Sequence, residues 1–445
     1  MIRTEQTPIQ TLQKKYSRLR RLQDRATLSS KNQTSCRVCG SKSLKTYLEL
    51  GKTPLANSYL TEAQLSDSEF KETLSLQLCR TCGLSQLTKV VAPERMYKNY
   101  LYVSSTPATF RDHCAELAKT AISVAALEPG SLVLDIASND GCLLSPFQKS
   151  GMRVVGVEPA ENLAPEANRR NIPTLCVYWS PSVARDIAEN FGSPQVITST
   201  NVLAHVDDVH SFVKGIEACL APRGVWIIEV PYVLDFIREN EFDTAYHEHL
   251  SYFNLHAMAH LLEMHQFSLF DVDYFPDLHG GTLRMYAART GLYPPRPRLE
   301  SFLKKETAFG VKREAPYAAF AKRVYANKKK LMSLLARLRR EKKVVWAYGA
   351  SAKGNTLLNF FGITSQAVPV VIDDNPKKWK YYTPGSRMRI TGIEELPKNN
   401  VDYLLLLAWN FKDEIMSRCR ATGYRQSYLL PIPQARILED KVNQS

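Results

Sequence analysis

Two Cys-x-x-Cys pairs in the first hundred residues constrain the fold of this chain more than any other feature. Cys36 and Cys39 form one pair, and Cys79 and Cys82 form the other after an interval of 39 residues. Four thiolates presented from two tight turns match the tetrahedral ligand set that Zn²⁺ prefers. Because four cysteines leave no coordination position open, the sequence predicts a structural zinc site. Redox-active dithiols and unligated core cysteines are the alternatives.

Length and composition indicate a multidomain protein. The chain has 445 residues, of which 44% are hydrophobic, and at about 150 residues per domain it divides into roughly three domains. Its longest apolar run, residues 403–409, is far shorter than the ~18 residues of a membrane span and is typical of a buried strand. Nine cysteines without a dense framework, and no apolar leader, favour a reducing cytoplasm and no membrane partner.

The net charge of +14 is concentrated in two segments. Residues 1–31 carry +6 and residues 322–343 carry +9, so the rest of the chain is close to neutral. The first segment is expected to be a solvated, flexible tail, with an organelle-targeting role as the alternative. The second has leucines at helical spacing among its cations and is expected to be an amphipathic connecting helix with a charged outer face. The Pro-rich residues 293–297 mark a boundary before it.

The middle of the chain alternates strand and helix patterns. These patterns predict a doubly wound α/β sheet, in which ligands bind beyond the carboxyl ends of the strands. The predicted elements are strands at 132–136, 154–158, 195–199 and 225–230, a helix at 255–264 and a hairpin whose second strand covers 282–287.

A cofactor site is predicted where the first two of these strands end. Residues 137–141, Ala-Ser-Asn-Asp-Gly, form a small-residue turn at a helix start, and Glu158 ends the next strand, where a carboxylate can accept both hydroxyls of a ribose. This arrangement favours S-adenosylmethionine, and the absence of a Gly-x-Gly-x-x-Gly motif disfavours a dinucleotide. The alternative is that Glu158 only caps a helix. The predicted cofactor-binding residues are Asp135, Ala137, Asn139, Asp140, Gly141, Glu158 and Pro159.

A second βαβ pattern follows the connecting helix. A strand at 344–347 runs into the small-residue turn 348–354, and a strand at 370–374 ends in two acids. Such a turn can hold phosphate groups, with Lys353 nearby as a point charge. The alternative is a domain that only forms a wall of the cleft.

Ten short stretches give the chain a specific family resemblance from residue 35 onwards. The chain resembles S-adenosylmethionine-dependent C-methyltransferases that act on nucleotide-activated 4-keto deoxysugars and carry an N-terminal zinc-binding domain. The stretches occur in the family's order, at residues 36–40, 54–57, 79–84, 100–105, 138–141, 156–160, 201–206, 246–249, 348–356 and 382–385.

The resemblance implies a reaction in which a base removes a proton next to the sugar ketone and the resulting enolate attacks the methyl group. It implies His249 as the base, Glu248 as a residue that orients it or shares its proton, and Tyr246 and Tyr100 as hydrogen-bond donors. A Rossmann-like C-terminal domain is expected to help hold the nucleotide sugar. The implied substrate-binding residues are Asn201, His205, Tyr102, Lys353 and Asn355.

Several alternatives remain open for single residues. Tyr97 or Tyr102 could take the place of Tyr100, and His247 with His249 could hold a second metal if their segment is extended. The remaining histidines of the middle region are expected to be structural. They are His210, His256, His260 and His265.

The sequence thus predicts an α/β enzyme, a monomer or weak homo-oligomer that binds an NDP-4-ketosugar and no nucleic acid. A zinc-ribbon nucleic-acid-binding protein or RNA methyltransferase is one alternative, and a ketosugar-binding module without activity is another. The predicted division is a basic tail (1–32), a zinc-binding domain (33–95), a class I methyltransferase domain (96–295), connecting helices (296–343) and a C-terminal Rossmann-like domain (344–440).

Overall fold

The cysteine-bearing module is built on short antiparallel strands. The computed structural model describes residues 7–23, 29–96, 104–106, 108–278 and 280–439. The chain opens with helix α1 (Pro8–Gln23), followed by strands β1 (Lys31–Asn32), β2 (Leu44–Pro54), β3 (Lys71–Cys79), β4 (Ser85–Leu87) and β5 (Lys89–Val90). β1 pairs with β5, while β2, β3 and β4 share a second sheet. Cys79 is the last residue of β3 and Cys82 lies in the turn into β4, so strand pairing fixes the second knuckle.

The middle of the chain forms a seven-stranded sheet in the order β12-β13-β10-β9-β6-β7-β8. The strands of this region are β6 (Leu132–Ile136), β7 (Arg153–Val157), β8 (Thr174–Leu175), β9 (Val196–Thr200), β10 (Val225–Pro231), β11 (Ser251–Tyr252), β12 (Phe267–Phe275) and β13 (Thr282–Arg289). β6 to β10 are parallel, and β13 enters antiparallel beside β10. This order confirms the predicted doubly wound sheet, and β6 is buried along its whole length because helices cover both faces.

The helices between residues 108 and 263 pack around this sheet. They are α2 (Ala108–Val124), α3 (Leu144–Lys149), α4 (Ala164–Arg169), α5 (Pro181–Phe191), α6 (Val209–Cys219), α7 (Val233–Arg238) and α8 (Leu255–Glu263). Side-chain caps begin several of them: Ser180 accepts from the Val183 amide, and Asn254 accepts from the Ala257 amide. Each cap satisfies an amide that the first helical turn leaves without a partner.

Strand β11 does not belong to the central sheet. It pairs antiparallel with β4 of the cysteine-bearing module, with Ser251 opposite Gln86 and Tyr252 opposite Ser85. The segment just before it, residues 246–249, is therefore held between the module and the central sheet.

Two helices connect the central sheet to the C-terminal domain. α9 (Pro297–Phe309) ends at Gly310, whose φ of 84° is the left-handed conformation of a helix stop. α10 (Glu314–Arg340) buries an apolar stripe that includes Phe320 and Leu331, and its cations lie mostly on the exposed face. Among the described residues, no helix is both long and apolar enough to cross a bilayer.

The C-terminal domain is a second α/β sheet with the order β16-β15-β14-β17-β18-β19. It is parallel except for the last strand. Its elements are β14 (Val345–Tyr348), α11 (Ala352–Phe361), β15 (Val370–Ile372), β16 (Arg389–Thr391), β17 (Tyr403–Leu406), α12 (Lys412–Ala421), β18 (Ser427–Leu430) and β19 (Arg436–Leu438). This arrangement is the predicted Rossmann-like domain.

Residues 54–57 join the three domains. The side-chain amide of Asn57 donates to Glu248 Oε1 at 2.7 Å, which links the module to the segment before β11. The side-chain amide of Asn355, in the C-terminal domain, donates to the Ala56 carbonyl at 2.7 Å. Both bonds are at least partly buried, so this short stretch fixes the module against both neighbours.

The basic N-terminal segment differs from the expected flexible tail. Helix α1 buries Leu12 and Tyr16, with 5% and 7% exposure, against the core that contains Leu175 of β8 and residues of α5. Lys15 and Tyr16 both contact the Asp186 carboxylate on α5, the former at 2.6 Å. The helix is strongly polar on average, but two apolar side chains one turn apart are enough to dock it when an ion pair adds to their burial.

We expect Leu12→Ala to release α1 from this surface. Removing the buried side chain should cost about 2 kcal/mol or more, enough to raise local opening of the helix at least about tenfold. Tryptic cleavage after Lys14 and Lys15, followed by mass spectrometry, should accelerate accordingly. Thr11→Ala, at an exposed neighbouring position of the same helix, is the control and should match the wild type. Equal cleavage rates in all three proteins would show that α1 is not docked.

Candidate active site

A cavity of about 520 Å³ opens at the carboxyl ends of the parallel strands, where sheets of this kind bind ligands. Its wall contains residues from all three predicted groups: cofactor-binding, catalytic and substrate-binding. The predicted residues that line it are Asp135, Ala137, Asn139, Glu158, Pro159, Asn201, His205, Tyr246, His249 and Lys353. The fold therefore brings together residues that are up to 218 positions apart in the chain, Asp135 and Lys353 being the most distant.

The turn after β6 has an unusual backbone conformation. Ala137 and Asn139 have positive φ values of 59° and 52°, and the Ala137 amide donates to the Val157 carbonyl at 2.7 Å. Gly141 also has a positive φ, and a Cβ there would lie 2.6 Å from the Ile172 side chain, so only glycine fits. The turn places small side chains and backbone groups at the cavity floor.

Glu158 lies directly after β7 and faces this turn. Its two carboxylate oxygens accept hydrogen bonds from the amides of Asn139 and Ala160, at 2.9 and 2.8 Å. These two bonds fix the carboxylate plane and leave lone pairs on both oxygens for a ligand with two adjacent hydroxyls. Burial raises the pKa of Glu158 to about 7, against the opposing effect of the two amides.

Asp135 and Ser138 complete the cofactor side of the cavity. The Thr198 hydroxyl donates to Asp135 at 2.7 Å, and burial raises the pKa of Asp135 to about 7. The Ser138 hydroxyl oxygen is buried and has no hydrogen-bond partner among the described residues. A bound ligand with a polar chain would satisfy such a group. The donors and acceptors of this side of the cavity therefore fit an adenosyl amino acid.

Two predicted cofactor residues lie elsewhere. Asp140 is fully buried and forms an ion pair with Arg170 at 2.9 Å, beneath the turn. Gly141 packs on Ile172, as described above. Neither is among the described residues that line the cavity. Both instead stabilise the turn through their contacts with Arg170 and Ile172.

His249, another residue of the cavity wall, has a defined tautomer when its ring is neutral. Its Nδ1 lies 2.9 Å from the Thr244 carbonyl oxygen and its Nε2 lies 2.7 Å from the Tyr246 hydroxyl. Because a carbonyl can only accept, Nδ1 carries the proton, and Nε2 of the neutral ring accepts from Tyr246. The basic nitrogen is thus hydrogen-bonded to a phenol, and both residues line the cavity.

His205 stands beside this pair. Its ring centroid lies 4.9 Å from that of His249, and the two planes are almost perpendicular. Burial lowers the pKa of His205 to about 4, so the ring is neutral at pH 7 and can donate a hydrogen bond without carrying charge. Asn201, with a positive φ of 56°, lines the same wall.

The other polar residues of the motif have different surroundings. Glu248 accepts from the Asn57 amide, and burial raises its pKa to about 7. It is not one of the described lining residues, so its carboxyl lies at the domain joint. His247 Nε2 is 3.2 Å from the Glu72 carbonyl. Within the described residues, the four-cysteine cluster is the one group of three or more ligand-type side chains close enough to hold a metal ion, and His247 with His249 belongs to no such group.

Lys353 reaches the cavity from the C-terminal domain. Its Nζ lies 3.9 Å from Glu241 and 5.2 Å from the centre of the Trp409 ring. Burial raises the pKa of Glu241 to about 8, although the charge on Lys353 opposes that shift. Asn355, by contrast, is fully buried and bonded to Ala56, outside the described cavity wall.

Some positions of the cavity wall were not predicted from the sequence. Thr244 precedes the motif and accepts from His249, while Tyr178 and Trp179 line the cavity after β8. β8 has two residues, too few for a recognisable pattern. Had it been recognised, the position after a parallel strand would have pointed to Tyr178. Tyr100 and Tyr102, together with the alternative Tyr97, lie outside the described residues.

The four cysteines of the two knuckles converge as predicted. Their sulfur atoms all lie within 4.8 Å of one another, and Cys36 with Cys82 and Cys39 with Cys79 are 3.5 Å apart. Four thiolates around one zinc ion at about 2.3 Å would be about 3.8 Å apart, so the residues fit a tetrahedral ion. No water-accessible position remains in such a set, and the site is structural.

We expect one tightly bound zinc ion per chain, measurable by plasma mass spectrometry. Cys36→Ser should lose the ion and lower the melting temperature by at least about 10 °C, because zinc binding at such sites supplies on the order of 10 kcal/mol of folding free energy. Cys219→Ala, a buried cysteine of α6 outside the cluster, should keep the zinc. A metal-free protein whose melting temperature does not respond to added zinc or to a chelator would contradict this assignment.

The carboxyl groups on the cofactor side predict a pH dependence of ligand binding. Since Glu158 has a pKa of about 7 without ligand and hydroxyls bind the ionised form, affinity should fall as the pH drops through 7. S-adenosylhomocysteine should bind about tenfold more weakly at pH 6 than at pH 8 by calorimetry. Glu158→Gln should bind more weakly at both pH values and depend less on pH. A wild-type affinity that is constant between pH 6 and 8 would exclude this role.

Three protein-family models match the chain in the order of its domains. "Putative zinc binding domain" matches residues 36–97, "Methyltransferase domain" matches residues 108–272, and "C-methyltransferase C-terminal domain" matches residues 277–433. The first of these models contains all four cysteines of the cluster.

Known proteins resemble the chain over different lengths. Ubiquinone biosynthesis O-methyltransferase of Rhodopseudomonas palustris (strain TIE-1) is 28% identical over 26% of this chain and 45% of its own. A crystal structure of magnesium protoporphyrin IX methyltransferase (ChlM) from Synechocystis PCC 6803 with bound SAM has a TM-score of 0.31 and 14% identity, over 40% of this chain and 79% of that one.

C-methyltransferase NovU of Streptomyces niveus is similar over nearly the whole length. It is 33% identical across 407 residues, which cover 91% of this chain and 96% of that protein. The similarity thus includes the cysteine-bearing module, the central sheet and the C-terminal domain together. The chain belongs to the family of S-adenosylmethionine-dependent C-methyltransferases with an N-terminal zinc-binding domain.

Proposed function

We propose that the enzyme methylates the ring carbon next to the ketone of an NDP-4-keto-deoxysugar, at C3, in the synthesis of a branched deoxysugar. The observation that carries this proposal is that one cavity is lined both by Glu158, from the predicted cofactor site, and by the hydrogen-bonded His249–Tyr246 pair. A carbon next to a ketone is the kind of carbon acid that an imidazole can deprotonate.

His249 is the base in this proposal. Nδ1 donates to the Thr244 carbonyl, so the lone pair is on Nε2, where Tyr246 shares it. Nε2 takes the proton from the ring carbon directly, or through the Tyr246 hydroxyl acting as a relay. The Thr244 carbonyl then stabilises the imidazolium through the Nδ1 hydrogen bond, as the orienting group of a base should.

The developing enolate needs a donor near the ketone oxygen. The neutral ring of His205 lies beside His249 and can donate to that oxygen without an opposing charge change. Asn201 lines the same wall. Fixed donors in a cavity with little water stabilise an oxyanion more than solvent does, because they need no reorganisation.

Bound S-adenosylmethionine supplies the methyl group as an electrophile. The chain's part is to hold the donor and the carbanion in line: Glu158 and the turn after β6 fix one reactant, while the wall with His205 and His249 fixes the other. Such alignment is worth several orders of magnitude in rate. Asp135 and Ser138 would hold the amino acid part of the donor.

The sugar nucleotide would extend toward the C-terminal domain. Lys353 at the cavity edge offers a cation to a diphosphate, and its contact with Glu241 at 3.9 Å is long enough to be exchanged for a phosphate oxygen. Trp409, whose indole donates to Asp243 at 2.7 Å, packs its ring against the Lys353 ammonium. The domain therefore supplies substrate affinity in the proposal and no reacting group.

The most direct test incubates the protein with S-adenosylmethionine and a panel of TDP- and GDP-4-keto-6-deoxysugars in deuterated water. A methyl branch next to the ketone in one product identifies the substrate and the carbon by NMR. Without the methyl donor, the same carbon should exchange its hydrogen for deuterium. Methyl transfer to oxygen or nitrogen, or no turnover of any ketosugar, would overturn the proposal.

His249→Ala should distinguish a role of His249 in proton removal from a role in cofactor binding. We expect exchange and methyl transfer to fall about 10²- to 10⁴-fold, the usual contribution of a general base, with S-adenosylhomocysteine affinity unchanged. His260→Ala, on α8 and outside the described cavity wall, is the matched control and should exchange at the wild-type rate. If His249→Ala also exchanges normally, another group is the base.

A further inference from the structure

The two zinc knuckles have the same sequence pattern but different surroundings. Each is Cys-Arg-x-Cys, with Arg37 in the first and Arg80 in the second. The Arg80 side chain is 48% exposed and pairs with Glu314 on α10 at 3.0 Å. The Arg37 side chain is 1% exposed and extends away from the module toward the central sheet. The knuckle sequence alone therefore does not require its arginine to be buried, and the burial of Arg37 needs another explanation.

Arg37 contacts two segments of the cavity wall. Its Nη1 donates to the Leu250 carbonyl at 2.8 Å, and Leu250 directly follows His249. Its Nε lies 3.4 Å from the carboxylate of Asp207, a lining residue two positions after His205. One planar group thus touches both chain segments that carry the cavity histidines.

The rest of the knuckle strengthens this contact. The His210 Nε2 donates to the Val38 carbonyl at 2.8 Å, between the two cysteines of the knuckle. The Arg37 amide donates to the Gln86 side chain at 3.0 Å, and Gln86 lies opposite Ser251 in the sheet. The knuckle therefore contacts both the segment 207–210 and the segment 250–251.

We propose that Arg37 is a positioning residue through which the folded zinc knuckle sets the relative position of His205 and His249. This proposal rests on the proposed function, in which those two rings act on the sugar. Metal binding fixes the knuckle backbone. The Arg37 guanidinium, which contacts Leu250 and Asp207, then holds the segments that contain His249 and His205 in fixed positions relative to the knuckle. The zinc site is then required for catalysis although it takes no part in the chemistry.

Stability alone does not explain a guanidinium at this place. A buried ion pair gives little net stabilisation compared with apolar packing, because both groups lose their hydration. Among the described residues, Nε and Nη2 of Arg37 have no hydrogen-bond partner, so Nε has only the ion pair with Asp207, and both atoms add to that cost. Arginine can, however, contact two acceptors in a fixed geometry, which a lysine ammonium or an apolar side chain cannot do.

The test compares Arg37→Gln with Arg80→Gln, the same change in the other knuckle, with Arg37→Lys as the conservative variant. We expect Arg37→Gln to keep its zinc and its affinity for S-adenosylhomocysteine while kcat for methyl transfer falls about 10- to 100-fold, as misplaced catalytic groups predict. Arg37→Lys should recover less than half of that loss on a logarithmic scale. Arg80→Gln should match the wild type in kcat and KM.

A second measurement needs no substrate and so separates this inference from the proposed function. Nitrogen-15 NMR of the imidazoles should show changed His205 and His249 resonances in Arg37→Gln and unchanged ones in Arg80→Gln. If Arg37→Gln does not fold, Asp207→Asn removes the ion pairs of Asp207 with both Arg37 and Lys31 and should give the same shifts, whereas Lys31→Gln, which removes only the second pair, should leave the spectra unchanged. Imidazole spectra identical to wild type, or a kcat loss no larger than that of Arg80→Gln, would overturn the proposal. A wild-type enzyme inactive on ketosugars would overturn only the proposed function.

Discussion

The position of His249 depends on one short strand pairing. Leu250 is the one residue between His249 and strand β11, which pairs with β4 of the zinc-binding module. The Leu250 carbonyl also accepts from the Leu87 amide at 3.0 Å. A two-residue strand cannot hold itself in place, so its position derives from the module sheet, which the four cysteines close. The metal site therefore helps to determine where His249 stands in the cavity wall. The module is best regarded as part of the active-site scaffold.

Burial gives the cavity its chemical character. Asp135 and Glu158 both have pKa values raised to about 7, and His205 has one lowered to about 4, each because burial disfavours the charged form. Near neutral pH the cavity therefore carries less charge than its composition suggests. Such an environment suits a reaction in which charge appears only on the substrate and is met by fixed dipoles. Among the described lining residues, Lys353 is the one lysine or arginine, and it comes from the C-terminal domain.

Much of the fold could be predicted because its strands are long apolar runs. β6 and β7 were predicted within one residue, since buried parallel strands have continuous apolar sequences. The cysteine cluster was predicted because two Cys-x-x-Cys pairs are a characteristic ligand set for zinc. The docking of α1 was missed because its apolar face consists of little more than Leu12 and Tyr16. Asn355 and Glu248 were assigned to the cavity by motif alone, and which way a side chain points depends on tertiary contacts, here those with residues 56 and 57.

A crystal structure with S-adenosylhomocysteine and the substrate sugar nucleotide tests the central claim most directly. The account predicts the cofactor ribose on both oxygens of Glu158 and the sugar ring between the cofactor sulfur and the His249–Tyr246 pair. The carbon next to the ketone should lie within hydrogen-transfer distance of His249 Nε2 or the Tyr246 hydroxyl. A sugar ring bound on the far side of Lys353, with His249 still bonded only to protein groups, would contradict it.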